Sequence, residues 1–296
     1  MTQFLSLLIN GVSLGAVYAL IALGFVIIFK ASEVVSFMHG SLILLSAYLF
    51  ARYQETIGFW PAVALGIVGT TLVALLTERL LIRRLRGAPV ISLAILTIGV
   101  DIIVLTDLTR RIGSDILNVG QPWGGDTLRL GGVGITTNRA LAVLVAVVLM
   151  ALFFAAFKFS GWGVAMRAAA EDTEAAALMG IKLGRVTMIS WGVAGVLAAV
   201  AGLFLTGAPT PGVTPAVGAV ALRAFPAAIL GGLDSTGGAV VGGLIVGLAE
   251  SFAAGYQDQI AFMGRGFGDV VPYVVMVLVL MFRPSGLFGT KELTRV

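Results

Sequence analysis

The stretch GWGVAMRAAAEDTEAAALMGI, residues 161–181, is a soluble interruption in a chain that is apolar on both sides of it. It reads as a compact helix with its own start and stop. Glu171, Asp172 and Glu174 crowd the front, where carboxylates meet the positive end of a helix dipole. Asp172 or Thr173 supplies an N-cap, and Ala175 to Met179 follow as strong helix formers. Gly180 is a left-handed stop, with Ile181 placed for the hydrophobic contact that accompanies such caps. The result is about two turns of helix, far too short to cross a bilayer. So short a polar helix between long apolar runs is an elbow joining two membrane spans. Ala168, Ala175 and Ala176 give it a small-residue face suited to docking against another protein; a plain connector is the other reading.

Composition agrees with the elbow. Of 296 residues, 58% are hydrophobic and only 11% charged, against about 25% charged in soluble domains. Mean hydropathy is +1.04. This describes an all-α, polytopic transmembrane bundle, read as one transmembrane domain over 1–296. The pI near 9.7 rests on 19 Lys and Arg, whose placement matters more than their sum, and implies no nucleic-acid partner. With no cysteine, disulfides and thiolate metal sites are excluded. The start, Met1-Thr2-Gln3-Phe4, lacks a basic region before its apolar run, so the run reads as a retained first span.

Working outward from the elbow, candidate spans are 4–29, 38–53, 60–82, 90–108, 139–157, 187–208, 216–232, 237–256 and 268–283. Most approach the ~20 residues that hydrocarbon requires. The short 38–53 and the Pro226-containing 216–232 read as broken or re-entrant segments, leaving about 8–9 membrane segments. With the N-terminus outside, Lys30, Arg83, Arg84, Arg86, Lys158, Arg167, Lys182, Arg185, Arg283, Lys291 and Arg295 fall inside. Arg52, Arg110, Arg111, Arg129, Arg139 and Arg265 fall outside, eleven against six. That bias places the elbow loop, 158–186, and the C-terminus in the cytoplasm. The outer loop 109–138 is glycine-rich, with Pro122, Trp123, Asp115, Asp126 and Arg129; it is either a docking surface or a floppy loop.

Small residues organise the helices. Ser235, Ala239, Gly243 and Gly247 recur at every fourth position, with Gly238 and Gly242 alongside, and Gly11 and Gly15 do the same in the first span. Such residues let backbones approach closely in lipid. Polar residues at depth are few: Asn10, Ser13, Tyr18, His39, Thr97, Asp101, Thr206 and Glu250. An ionisable group there is costly unless a partner compensates, so these, Thr206 apart, are candidate pathway residues. Asp101 stands out mid-span, whereas His39, the only histidine, reads first as structural. Glu78, beside Arg79 and Arg83, reads as interfacial.

Chemistry of other kinds is missing. The nearest string to a phosphate-binding loop, Gly286-Leu287-Phe288-Gly289-Thr290-Lys291, has the wrong order and spacing. A single histidine removes most hydrolytic and metal constellations. The chain is therefore expected to be no enzyme and to bind no cofactor or metal.

Five pieces in order carry a more specific signal. They are Asn10 to Gly24 in the first span, Phe37-Met38-His39-Gly40, and the elbow with Arg167-Ala168, Glu171-Asp172 and Gly180-Ile181. Then come Ala224-Phe225 to Gly232 with Gly242 to Glu250, and Arg283-Pro284-Ser285-Gly286-Leu287-Phe288-Gly289. Nearly end to end, the chain resembles the membrane permease subunit of high-affinity branched-chain amino acid ABC importers. The resemblance implies that the elbow is a coupling helix seated in a cytoplasmic ATPase, through Arg167, Ala168, Glu171, Asp172, Ala176, Gly180 and Ile181. It implies a second related permease, two ATPase subunits that bind the ATP, an external solute-binding protein, and a place in the bacterial inner membrane. Ser36 stands where the family tends to have Asn, and Asp101 where a neutral residue is expected. Urea and short amides therefore stay open as substrates beside amino acids. The competing reading is an ion-driven secondary transporter with Asp101 or Glu250 as its ion site.

Overall fold

The structure is a computed structural model and describes residues 2–85, 87–120, 127–130, 133–207, 212–259 and 266–290. Arg86, Pro122, Trp123, Asp126, Arg265, Lys291 and Arg295, all used in the sequence reading, lie outside the described residues, as does the side chain of Arg129.

The helices follow the hydropathy runs closely. They are α1 (Thr2–Ser32), α2 (His39–Ile57), α3 (Phe59–Thr77), α4 (Val90–Ile112), α5 (Thr137–Phe159), α6 (Gly161–Glu171) and α7 (Thr173–Leu178). After the elbow come α8 (Leu183–Leu205), α9 (Val220–Gly231), α10 (Thr236–Gly255) and α11 (Val271–Phe282). Among the described residues, six helices are long and apolar enough to cross a membrane: α1, α3 with its extension to Leu85, α4, α5, α8 and α10. The α2 helix and the shorter apolar pieces Pro215–Gly231 and Val271–Phe282 make up the difference from the expected count.

The bundle is built around α1. Its 31 residues extend about 46 Å, and from Ala16 to Ile28 its side chains are almost entirely buried. A helix that is apolar all round belongs in a core. It packs chiefly against α10 and α8, with α5 and α9 completing the ring. Outer helices show the reverse pattern: Val68 and Leu72 on α3, Ile95 and Ile103 on α4, and Leu144 and Leu152 on α5 are exposed. Large aliphatic side chains facing outward in this way are what a lipid solvent accepts.

The α1–α10 seam explains the small-residue stripes. A β-carbon at Gly11 would lie 2.9 Å from the Leu248 backbone, and one at Gly15 2.9 Å from that of Leu244. From the other side, Gly243 meets the Ala19 backbone and Gly247 meets Gly15. Gly238 and Gly242 turn instead to α9, against the Gly231 and Ala227 backbones. One sequence stripe thus serves two helix contacts.

Three expectations change. First, Pro226 does not interrupt its segment, because α9 runs through it after the 3-10 turn Pro215–Ala219. A proline removes the N–H that would bond the carbonyl four residues back, here that of Leu222. Tyr273 of α11 donates its hydroxyl to that carbonyl at 3.0 Å. Second, α2 is continuous and its short look has a polar cause: Arg52, Gln54 and Glu55 occupy its last turns. Third, the described part of the outer link is pinned. Leu117 pairs with Val213, Gln54 bonds the backbones of Asn118 and Gly120, and an antiparallel hairpin forms from Thr127–Leu130 and Val133–Thr136.

Candidate functional site

The elbow is two helices rather than one. Ser160 caps α6 by accepting the Gly163 N–H at 3.1 Å. Asp172 then ends α6 and starts α7. Its backbone N–H reaches Ala168 O at 3.2 Å, while its carboxylate accepts from the N–H groups of Glu174 and Ala175 at 2.9 and 2.8 Å. Gly180 has φ +85°, the left-handed geometry expected of it. The Ile181 N–H reaches Ala176 O and the Gly180 N–H reaches Ala177 O, each at 3.0 Å, which is the paired closure of a Schellman cap.

Packing sets the elbow's outer face. Ala176 is buried on the inner side, and Trp162 packs edge-on to Phe153 and Phe157 while its indole N–H reaches Val186 O at 3.4 Å. Arg167 turns back along α5, donating to Phe157 O and lying over that ring. Ala168 and Ile181 are half-buried, and Glu171 and Asp172 are exposed. At the tip, Leu178 and Met179 are 86% and 85% exposed.

The polar residues at depth divide into two groups. Asn10, Ser13 and Glu250 line one cavity of about 500 Å³ between α1, α5, α8 and α10. Its polar wall also contains Asn138, Arg139 and Ser251, and Leu14, Val17, Ala142, Phe204 and Leu205 form its apolar wall. Volume and lining suit a small organic solute. Tyr18, buried behind the cavity, donates its hydroxyl to Glu250 Oε2 at 2.7 Å. Arg223 of α9 reaches Glu250 Oε1 at 3.4 Å and Asp269 at 2.9 Å. Arg139 donates to Asn10 Oδ1, and Ser13 donates to the Arg139 carbonyl at 3.4 Å.

Thr97, Asp101 and His39 lie apart from that cavity, at the start of α2. Met38 offers this helix no side-chain cap, so α4 provides one. Asp101 accepts the Ser41 N–H at 2.8 Å, and one turn earlier Thr97 accepts the Phe37 N–H at 3.1 Å. His39 is buried, stacks on Phe25 at 4.0 Å and approaches Ser36 O at 3.3 Å. Gly24 leaves it room: a β-carbon there would sit 2.8 Å from Nε2. Asp101 also lines a smaller apolar pocket, of about 160 Å³, with Phe25, Phe37 and Phe225.

Some residues escaped the sequence reading. Arg139 was absorbed into the charge count. Arg223 carried a usable signal, a cation inside an apolar run that demands an anionic partner. Glu78 is buried, in a π-helical turn (Glu78–Ile82), and accepts from Thr187 at 2.9 Å. A π-bulge turns a side chain to a face that regular helical spacing does not predict. Among the described residues no cluster of three or more metal-ligating side chains occurs.

Comparison with known proteins places the chain. Residues 7–280 match the family described as branched-chain amino acid transport system, permease component. The high-affinity branched-chain amino acid transport system permease protein LivH of Escherichia coli K12 is 32% identical over 309 residues, covering 99% of this chain and 98% of its own. The corresponding protein BraD of Pseudomonas aeruginosa is 30% identical over 311 residues, with the same coverage. A probable LivH of Methanocaldococcus jannaschii is 31% identical over 298 residues, covering 94% and 90%. No solved structure matches.

Proposed function

The chain belongs to the branched-chain amino acid transport permease family, and from that premise we propose that it is one of two related permeases in an ATP-driven importer. In this reading it forms half of the pathway for branched-chain or related amino acids across the bacterial inner membrane, with its C-terminus in the cytoplasm. An external binding protein delivers the solute. Two cytoplasmic ATPases bind the nucleotide, and their closure moves the elbow and its flanking spans. Coupling of this kind requires contacts that differ between the two states.

The observation that carries the coupling role is the tip of α7. Leu178 and Met179 are exposed at the tip of a polar elbow, while Ala176 and the Schellman cap hold the turn that presents them. An apolar pair displayed from a rigid, otherwise charged turn is a docking feature. The test is Ala176→Trp and Gly180→Val, neither of which touches a span or a topology signal. At φ +85° a β-branched residue is strained by about 1 kcal/mol or more. Both variants are expected to insert normally and to lose either ATPase co-purification or substrate-stimulated ATP turnover in liposomes. Wild-type behaviour of both variants in both assays would reduce the elbow to a connector.

A further inference from the structure

We propose that the cavity between α1, α5, α8 and α10 is a zwitterion site, in which Arg139 receives the carboxylate and Glu250 the ammonium of an α-amino acid. The proposal rests on the permease reading and deepens it by assigning the residues that recognise the two charges of the amino acid.

Arg139 occupies the third position of α5. A cation in the first turn meets the positive end of the helix dipole, where an acidic residue is the favoured choice. Among the described residues, no carboxylate lies within ion-pair distance of its guanidinium. Asn10 accepts one of its N–H groups and Ser13 holds its backbone carbonyl. Both partners are neutral: they orient the fork without discharging it. A planar guanidinium held this way is suited to a two-point grip on a carboxylate.

Glu250 presents the opposite charge. Arg223 lies closer to Asp269, at 2.9 Å, than to Glu250, at 3.4 Å. Two carboxylates thus share one guanidinium, and the trio carries a net negative charge. Tyr18 contributes only a hydroxyl. Arg139 and Glu250 line the same cavity without pairing with each other. A zwitterion supplies Arg139 with the anion it lacks and the Glu250–Asp269 pair with a second cation, and Leu14, Val17 and Phe204 offer its aliphatic side chain an apolar wall. An uncharged solute supplies neither, and an Arg139 left without a counter-ion discriminates strongly against it.

The experiment uses the absence of cysteine from this chain. Ala254→Cys places one thiol on an exposed residue of α10 that lines the cavity. Its labelling by a maleimide is followed in the permease–ATPase complex in nanodiscs, with the binding protein omitted so that only the membrane site is read. The probes are L-leucine, 4-methylpentanoate, 3-methylbutylamine and urea. L-Leucine is expected to slow labelling, and urea to leave it unchanged. Arg139→Gln should weaken protection by leucine at least about tenfold, as loss of a charge-assisted contact does, while sparing protection by the amine. Glu250→Gln should weaken leucine to a similar extent while sparing the carboxylate. These opposite selectivities cannot arise from a general failure to fold. Absence of protection by leucine with both charges in place, or equal protection by leucine in both variants and the parent, overturns the site. Uptake by the same complex with binding protein added separates the two failures. ATP-driven uptake without protection removes the site alone, and uptake that needs no ATPase removes the permease reading too.

Discussion

At the scale of single residues, the polar groups buried in the bundle have assignable work, and that work makes them testable. Asp101 stands in for a missing helix cap, accepting the Ser41 N–H. Asparagine at 101 can accept the same bond, so Asp101→Asn should retain substantial uptake. Asp101→Leu leaves that donor unpaired and should cost about 1–3 kcal/mol of stability, read as a lowered unfolding temperature in detergent. Loss of uptake in an intact, assembled Asp101→Asn protein would turn attention to the ion-driven alternative. Tyr273 offers a cleaner pairwise test, since it donates to the carbonyl that Pro226 deprives of a partner. Tyr273→Phe should cost about 1 kcal/mol. In a Pro226→Ala background, where the backbone again supplies a donor, the same change should cost much less; equal cost in both backgrounds would show that the two residues are independent. Polarity at depth singled out Asn10, Ser13, Tyr18 and Glu250 from the sequence, because burying such groups needs a reason. It could not separate them from Thr97 and Asp101, since capping another helix and lining a cavity call for the same residue types. Arg139 was hidden by its place at the edge of a span, where a cation also serves as a topology signal.

At the scale of elements, the helices were legible because hydrocarbon imposes length and apolarity on each of them. Their partners were not, because a small-residue stripe does not say which neighbour it meets. The glycines of α1 and α10 face one another with backbone against backbone. Gly247→Val should therefore force these helices apart. Inserting methylenes into tight packing costs about 1–3 kcal/mol or more, and here neither facing backbone can move aside. The expected outcome is loss of folded protein on extraction, measured by size-exclusion chromatography; a monodisperse, thermally unaltered variant would contradict the seam. The α9–α10 corner shows the same limit of sequence. Two separate motifs, Ile229 to Gly232 and Arg283 to Gly289, interlock there through Leu287 N–H to Leu230 O at 2.8 Å and Phe288 N–H to Gly231 O at 3.1 Å. Gly286 permits the contact, with φ +82° and space for no side chain against Ile229 O. In the elbow, the cap residues and stop were readable from local chemistry. The division into α6 and α7 was not, because Asp172 both ends one helix and caps the next.

At the scale of the whole molecule, the fold joins a buried central helix, a cavity lined by Arg139 and Glu250, and a two-helix elbow in the loop 158–186. In the proposed orientation, with the N-terminus outside, the cavity lies on the outer side and the elbow on the inner side. That arrangement suits the proposed function, a solute delivered from outside and an energy source acting from within through other subunits. The most direct measurement is leucine uptake into liposomes containing the purified permeases, with ATPases and binding protein added or withheld and a protonophore present or absent. The account predicts no ATP turnover by this chain alone, uptake only with the ATPases and ATP, and indifference to the protonophore. ATP hydrolysis by the isolated chain, or uptake without ATPases that collapses with a protonophore at constant ATP, would contradict it.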